Sequence, residues 1–93
     1  MTNVSIVLPT YNRAATIGRA IESVLNQTYP DFELLIVDDG STDNTEIVVA
    51  QYLKDTRVKY YKRKNQGASA ARNFGISVGT GDYVAFQDSD DEW

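Results

Sequence analysis

The sequence predicts an α/β fold: a Rossmann-like, mostly parallel sheet with flanking helices in the order β-α-β-α-β-α-β. Four short apolar runs begin about 24–30 residues apart, the length of one strand plus one crossover helix. The segments between these runs carry apolar residues at helical spacing. Strands that alternate with helices along a chain are typical of a parallel sheet covered by helices.

The four apolar runs are predicted to be buried strands, because each is short, rich in β-branched or aromatic residues and bounded by polar or turn residues. The crossovers between them are expected to be right-handed. The predicted strands are Val4–Leu8, Leu34–Val37, Val58–Tyr61 and Tyr83–Phe86.

Three helices are predicted between the strands. The first is expected to end near Gln27, ahead of Pro30. The second is capped by Thr42 or Asp43 and runs to about Leu53. The third contains small residues that allow close packing on a sheet. The residues that mark the three helices are Ile17, Ile21, Val24 and Leu25; then Ile47, Ala50 and Leu53; then Ala68, Ala71, Gly75 and Ile76.

The composition limits the chemistry that the chain can perform. Its 93 residues make one domain at most, and 42% hydrophobic with 24% charged residues indicates a globular chain. The formal net charge of −4 disfavours nucleic acid as a partner. Cysteine and histidine are both absent, which excludes a thiolate nucleophile and an imidazole base. A bound metal must therefore be a hard cation held by oxygen.

The sequence shows no secretory signal, and its apolar runs of four residues are far shorter than the ~20 residues of a membrane helix. We predict a cytoplasmic location, with the cytoplasmic face of a membrane as the alternative for a longer protein. The last residues, 90–93, lie inside an acidic cluster, which predicts a piece of a longer protein; a short complete domain is the alternative. Since such a piece leaves apolar sheet surface uncovered, we predict self-association.

Polar residues gather where the predicted strands end. The carboxyl ends of parallel strands lie at one edge of the sheet, and open α/β sheets bind their ligands there. We therefore expect one crevice to be lined by four segments, residues 9–12, 38–41, 65–67 and 88–91.

Asp88 and Asp90 form the strongest motif at this edge. Two carboxylates at i and i+2 after a strand can point the same way, which is unfavourable unless a cation or proton lies between them. Mg²⁺ or Mn²⁺ suits one or two carboxylates together with phosphate oxygens. The alternative is a solvated acidic loop.

Three other positions have both a functional and a structural interpretation. The adjacent carboxylates of Asp38 and Asp39 can accept hydrogen bonds from a base or from ribose hydroxyls, or serve a strand-end turn. Tyr11 can stack on a base, or pack at the rim of the core. Arg72 can approach a diphosphate beside the amides of the third helix, or form a surface salt bridge.

These motifs, taken together and in order, resemble family 2 glycosyltransferases. The resemblance covers essentially the whole chain and implies the N-terminal, nucleotide-binding half of a GT-A fold. The segments that carry it are residues 4–12, 23–29 and 38–43, the Asn65-Gln66-Gly67 and Ala71-Arg72-Asn73 triplets, and residues 88–91.

The resemblance implies a role for each matching residue. It implies an inverting transfer of a sugar from a nucleoside diphosphate, with a UDP-sugar as the expected donor, to a hydroxyl acceptor. The catalytic base is expected beyond Trp93, so the 93 residues alone are predicted to be inactive. The implied nucleotide-binding residues are Pro9, Thr10, Tyr11, Asp38, Asp39, Asn65, Gly67, Arg72 and Asp88, and Asp88 and Asp90 are the implied ligands of Mn²⁺ or Mg²⁺.

A second hypothesis belongs to another class of protein. It is a non-catalytic α/β module whose acidic loops bind Mg²⁺ alone, as phosphoacceptor signalling domains do. Such domains are expected to carry a lysine on a late loop, and no lysine follows Lys64. The sequence therefore favours the transferase.

Overall fold

The computed structural model describes residues 4–26 and 31–87. In this part of the chain four parallel strands form one sheet in the order β3-β2-β1-β4. The predicted β-α-β-α-β-α-β order is confirmed. The elements are β1 Val4–Thr10, α1 Ile17–Leu25, β2 Phe32–Asp38, α2 Thr45–Ala50, β3 Val58–Lys62, α3 Ala68–Val78 and β4 Tyr83–Phe86.

The pairing of the two central strands places their ends level. β1 and β2 pair from Val4 with Phe32 to Thr10 with Asp38, and β3 continues this register with Lys62 beside Asp38. The carboxyl ends of three strands therefore meet at one edge of the sheet, as the sequence predicts.

The sheet is covered on both faces because side chains of a strand alternate between its two faces. Ile6 and Leu8 of β1 face the cluster of α1 and α2, whereas Val7 faces α3. The helix α3 lies very close to the sheet: a Cβ added at Gly75 would lie 2.4 Å from Val7 Cγ1. The small residues predicted in this helix thus serve close packing.

The predicted apolar stripe of α2 is wrong. Ile47 is 64% exposed and Leu53 is 43% exposed, and the helix ends at Ala50. The residue of this helix that fills the core is Val49, which lies with Val48 against the α1 side of the sheet. Several apolar residues in a row fit more than one helical stripe, so hydrophobicity alone did not select the buried one.

The prediction that all four strands are buried is also wrong for the two outer ones. All four residues of β4 are exposed, and only Val58 of β3 is buried. Both are edge strands among the described residues, whereas β1 and β2 lie between neighbours. None of the helices in residues 4–26 and 31–87 has the length and apolarity that a membrane span requires.

Candidate functional site

Three loops meet at the carboxyl edge of the sheet. They follow β1, β2 and β3, and main-chain hydrogen bonds join them at their starts: Asp39 N–H donates to Thr10 O at 2.9 Å, and Arg63 N–H donates to Asp38 O at 2.8 Å. The predicted segments 9–12, 38–41 and 65–67 are therefore brought together.

Asn12 connects the first loop to the second. Its φ of 52° is left-handed, a conformation that asparagine tolerates better than most residues. Its N–H donates to Ser41 Oγ at 2.8 Å. Its side-chain Oδ1 accepts the N–H of Thr42 at 2.8 Å and that of Asp43 at 3.3 Å. The two loops thus form one hydrogen-bonded frame.

Asp43 completes this frame at the start of α2. Its carboxylate accepts the N–H of Thr45 at 3.0 Å and the N–H of Ala14 at 3.1 Å. Burial raises the pKa of Asp43, but the hydrogen bonds from Thr45 and Ala14 outweigh it and the net pKa is lowered. The prediction that Thr42 or Asp43 caps this helix is wrong: Asn44 is the N-cap residue and makes no side-chain capping bond, while Asp43 accepts a hydrogen bond from the first helical residue, Thr45.

Asp38 is fully buried below the turn that follows β2. Its Oδ1 accepts the N–H of Ser41 at 2.8 Å, and its Oδ2 accepts the hydroxyl of Tyr60 at 2.5 Å. Burial and this hydrogen bond raise the pKa of the Tyr60 phenol above its usual range. Both oxygens of Asp38 therefore hold the turn and the neighbouring strand β3.

Asp39 holds the loop that leads into α3. It is 2% exposed, and its two oxygens accept the N–H groups of Gln66 and Gly67, each at 2.8 Å. Next to it, Gly40 has a φ of +82°, and a Cβ there would lie 3.0 Å from Asn65 N. The second and third loops therefore touch backbone to backbone, and Asp39 lies between them.

The amino end of α3 opens onto free space. Gly67 has a φ of +99°, and a Cβ at that position would meet no atom of the described residues within 4 Å. The first N–H groups of a helix have no partner within the helix, and they attract anions. Arg72 lies in the second turn and is half-buried. No salt bridge of Arg72 is present among the described residues, so its structural alternative is not seen there.

The end of β1 carries the first predicted nucleotide-binding segment. Pro9 and Thr10 are buried and Tyr11 is half-buried. Within the part of the chain described here, the Thr10 hydroxyl is buried without a hydrogen-bond partner. On the side of β1 that faces β4, Gln87 N–H donates a main-chain hydrogen bond to Val7 O at 2.9 Å. The next donor on that side of β1 would come from Pro9, which has no N–H.

The predicted metal ligands Asp88 and Asp90 lie outside the described residues. Within residues 4–26 and 31–87, no three acidic side chains cluster so that they could hold a metal ion. Carboxylates such as those of Asp88 and Asp90 are the donors that Mg²⁺ and Mn²⁺ prefer.

The roles of two residues that shape this edge do not follow from the predicted elements. Asn12 lies in a predicted strand-end segment, and an asparagine directly after a strand and a proline-containing segment is a turn signal. Tyr60 lies in a predicted strand, and nothing in its neighbours along the chain indicates that its hydroxyl reaches Asp38.

The parallel sheet with helices on both faces agrees with the GT-A fold that the resemblance implies, and similar glycosyltransferase structures confirm that fold. Residues 5–93 match the sequence profile described as "Glycosyl transferase family 2". The chain therefore belongs to this family. The fold and the family expected from the resemblance are both confirmed.

Similar proteins agree with this assignment. An uncharacterized glycosyltransferase of Rickettsia conorii is 51% identical over 90 residues, which cover 97% of this chain and 15% of that protein. The structure of S. aureus TarS 1-349 in complex with UDP-GlcNAc is 33% identical, with a TM-score of 0.90 over 96% of this chain and 27% of that one. The mannosyltransferase PcManGT from Pyrobaculum calidifontis, in complex with GDP-Man and Mn²⁺, is 28% identical, with a TM-score of 0.88 over 98% of this chain and 28% of that one. The chain thus spans a minor part of the length of each of these proteins.

Proposed function

We propose that residues 1–93 form the nucleotide-sugar-binding part of a metal-dependent, inverting glycosyltransferase. The donor would be a nucleoside-diphosphate sugar, with a UDP-sugar as the expected case, and the acceptor would carry a hydroxyl. Family membership favours this function over a Mg²⁺-binding module of the phosphoacceptor type.

The observation that carries the proposal is the position of Asp39. Its carboxylate fixes the two residues before α3, at 2.8 Å from Gln66 N and from Gly67 N. A Cβ added at Gly67 would meet no atom of residues 4–26 and 31–87 within 4 Å. A hydrogen-bonding carboxylate and the positive end of a helix thus lie side by side, which suits a ligand with both an N–H-bearing base and a diphosphate. The similar TarS structure, which is a complex with UDP-GlcNAc, supports this assignment.

Each predicted residue has a proposed place around such a donor. Pro9, Thr10 and Tyr11 would line the base and ribose, and the unpartnered Thr10 hydroxyl can donate to an oxygen of the ligand. Asp39 would accept a hydrogen bond from the base on a lone pair that its two amide partners leave free. The other proposed residues are Asp38, which holds the turn from below, Asn65 and Gly67, which shape the third loop, and Arg72, on the diphosphate side.

Asp88 and Asp90 are proposed to hold Mn²⁺ or Mg²⁺ at the end of β4, and Asp88 is also proposed to contact the nucleotide. When bound, the metal would neutralise charge that develops on the departing diphosphate. The presence of Mn²⁺ and GDP-Man together in the similar PcManGT structure supports a divalent cation here.

The described residues of this chain bind and orient the donor; we assign no proton transfer to them. Inversion requires a base that removes the acceptor's proton on the face opposite the leaving group. Asp38 and Asp39 are both buried with each oxygen already bonded, so neither suits that role. The expectation that the base lies beyond Trp93 stays a prediction, as does the cytoplasmic location.

Calorimetric titration of the 93-residue chain with UDP, with and without Mn²⁺, tests the proposal. We expect binding that Mn²⁺ strengthens and that Asp90→Ala reduces to the metal-free level. Asp82→Ala is the matched control, because Asp82 is exposed ahead of β4, away from the carboxyl edge. Mg²⁺ or Mn²⁺ binding with no response to UDP would favour the phosphoacceptor-type module instead.

A further inference from the structure

A second buried carboxylate network lies at the opposite edge of the sheet. Ser5 is the second residue of β1 and Glu33 is the second residue of β2, and the two are paired across the strands. Ser5 is fully buried and Glu33 is 2% exposed. A buried carboxylate is unfavourable unless it is paired and hydrogen-bonded, so its partners indicate what it is there to hold.

Two of the four hydrogen bonds that Glu33 accepts from the described residues come from one turn, through Thr80. Its Oε2 accepts the N–H of Thr80 at 2.7 Å, the hydroxyl of Thr80 at 3.1 Å and the hydroxyl of Ser5 at 2.6 Å. Its Oε1 accepts a hydrogen bond from Lys59 Nζ at 2.9 Å. Ser5 Oγ in turn accepts the N–H of Gly81 at 2.8 Å. Two successive residues of the turn between α3 and β4 are thus bound to β1 and β2 through Glu33 and Ser5.

The same turn fits closely against Ser5. A Cβ added at Gly79 would lie 2.8 Å from Ser5 Oγ and 3.0 Å from Ser5 Cβ. The φ of Gly79 is −68°, so any residue can adopt its backbone conformation and only the space requires glycine. Hydrogen bonds and shape therefore both fix this turn at the amino edge.

The strand that follows the turn has little else to fix its register. β4 has four residues, all exposed, and among the described strands it pairs only with β1. Register is weakly specified in a strand whose side chains are not packed. The anchored turn supplies the missing constraint, because it lies just ahead of Tyr83 at the start of the strand.

We propose that Glu33 is a positioning residue that sets the register of β4 on β1, and thereby where the chain leaves the sheet toward Asp88 and Asp90. This inference rests on the proposed function, since Asp88 and Asp90 are the proposed metal ligands. Glu33 touches neither nucleotide nor metal in this proposal. It acts through Thr80, Gly81 and β4.

The test measures amide hydrogen exchange in the unchanged 93-residue chain, in the Glu33→Gln variant and in the control variant Glu46→Gln. Glu46 is exposed and pairs with Lys62 in solvent, so the control makes the same change of charge outside the network. We expect protection of the amides of Ala85 and Gln87, which face β1, to fall about tenfold in Glu33→Gln, while those of Leu8 and Leu35, which lie between β1 and β2, change about twofold or less. Glu46→Gln should match the unchanged chain.

The second measurement is the affinity for UDP with and without Mn²⁺. In Glu33→Gln we expect metal-free affinity within about twofold of the unchanged chain and most of the Mn²⁺ enhancement lost, whereas a general loss of structure would lower both. If Glu33→Gln does not fold, Ser5→Ala is measured in its place, because it keeps the carboxylate and removes the link to Gly81.

Equal loss of protection in β4 and in the central strands would overturn the inference, and so would an unchanged Mn²⁺ enhancement. The exchange experiment requires neither nucleotide nor metal. A chain that binds no UDP would therefore contradict the proposed function while the register of β4 is still decided by exchange.

Discussion

The two edges of the sheet use buried carboxylates in different ways. At the amino edge, Glu33 is paired with Lys59 at 2.9 Å, and its other oxygen holds Ser5 and Thr80. At the carboxyl edge, Asp38 and Asp39 are held by main-chain N–H groups and one phenol. Among residues 4–26 and 31–87, neither of these two carboxylates forms an ion pair.

This difference distinguishes the carboxylate of Glu33, which serves the structure, from the carboxylates of the other edge, which are available to a ligand. The charge of Glu33 is compensated by a cation, and its remaining partners tie strands to a turn. Among the described residues, the carboxylates of Asp38 and Asp39 are held by main-chain N–H groups and one phenol, and Asp39 lies beside the amino end of α3. Such an edge is suited to bind a base, a diphosphate and a divalent cation together.

The largest expected effect is on stability, at the amino edge. Glu33→Ala removes the acceptor of Ser5, Thr80 and Lys59 at once and leaves the buried Ser5 hydroxyl without its acceptor. We expect the free energy of unfolding to fall by about 3–5 kcal/mol, measured by urea denaturation. A loss below about 1 kcal/mol would mean that the network is no stronger than a surface ion pair.

Asp39→Asn is expected to have a smaller effect on stability and a larger one on binding. An asparagine keeps one oxygen but presents an NH₂ group to one of the two amides of Gln66 and Gly67. We expect a loss of about 2 kcal/mol in stability and of at least about tenfold in UDP affinity, measured by calorimetry. Unchanged UDP affinity in a folded variant would remove Asp39 from the proposed site.

The pH dependence of stability reports on the charge of Glu33 at the amino edge. Burial raises the pKa of Glu33, but the hydrogen bonds from Ser5, Thr80 and Lys59 outweigh it and lower the pKa from 4.5 to about 2. A carboxyl whose pKa is depressed in the folded state stabilises the fold above its unfolded pKa, and this contribution is lost as the pH falls through the folded value.

The stability difference between the unchanged chain and Glu33→Gln should therefore be constant above about pH 5. It should shrink between pH 4.5 and about 2. Urea denaturation across this range measures it. A difference that does not depend on pH would show that the charge of Glu33 contributes nothing and that only its shape matters.

Tyr60→Phe is expected to have the smallest effect. It removes the one hydroxyl that reaches Asp38 Oδ2 and leaves the bond from Ser41 N–H in place. We expect a loss of about 1–2 kcal/mol in stability and a change in UDP affinity of about threefold or less. Tyr61→Phe is the control, since Tyr61 packs against Phe74 through its ring.

The positions of the strands were predictable from the sequence because the apolar runs that indicate them are local. The predicted bounds of Tyr83–Phe86 agree with the structure, and Leu34–Val37 lies inside the observed Phe32–Asp38. The exposure of β4 was not predictable in this way, because a run of four apolar residues looks the same in a central and in an edge strand. Burial of a strand depends on its neighbours, which the order of elements along the chain does not give.

The site was predictable in its location but not in its internal contacts. The predicted strand ends indicated where Asp38 and Asp39 lie, because the carboxyl ends of parallel strands meet at one edge of the sheet. The partners of Glu33 depend on register and on a turn that lies 47 residues further along the chain. One local signal was present: a glutamate inside an apolar run, between Phe32 and Leu34, is unusual in a buried strand.

Chemical-shift mapping of the 93-residue chain during titration with UDP and Mg²⁺ tests the central claim most directly. We predict that the amides of Asp39, Gln66 and Gly67 shift as UDP binds, while those of Glu33 and Thr80 stay unchanged. Shifts that concentrate on Glu33 and Thr80, or a spectrum that UDP leaves unaltered, would contradict the assignment of the carboxyl edge as the nucleotide-sugar site.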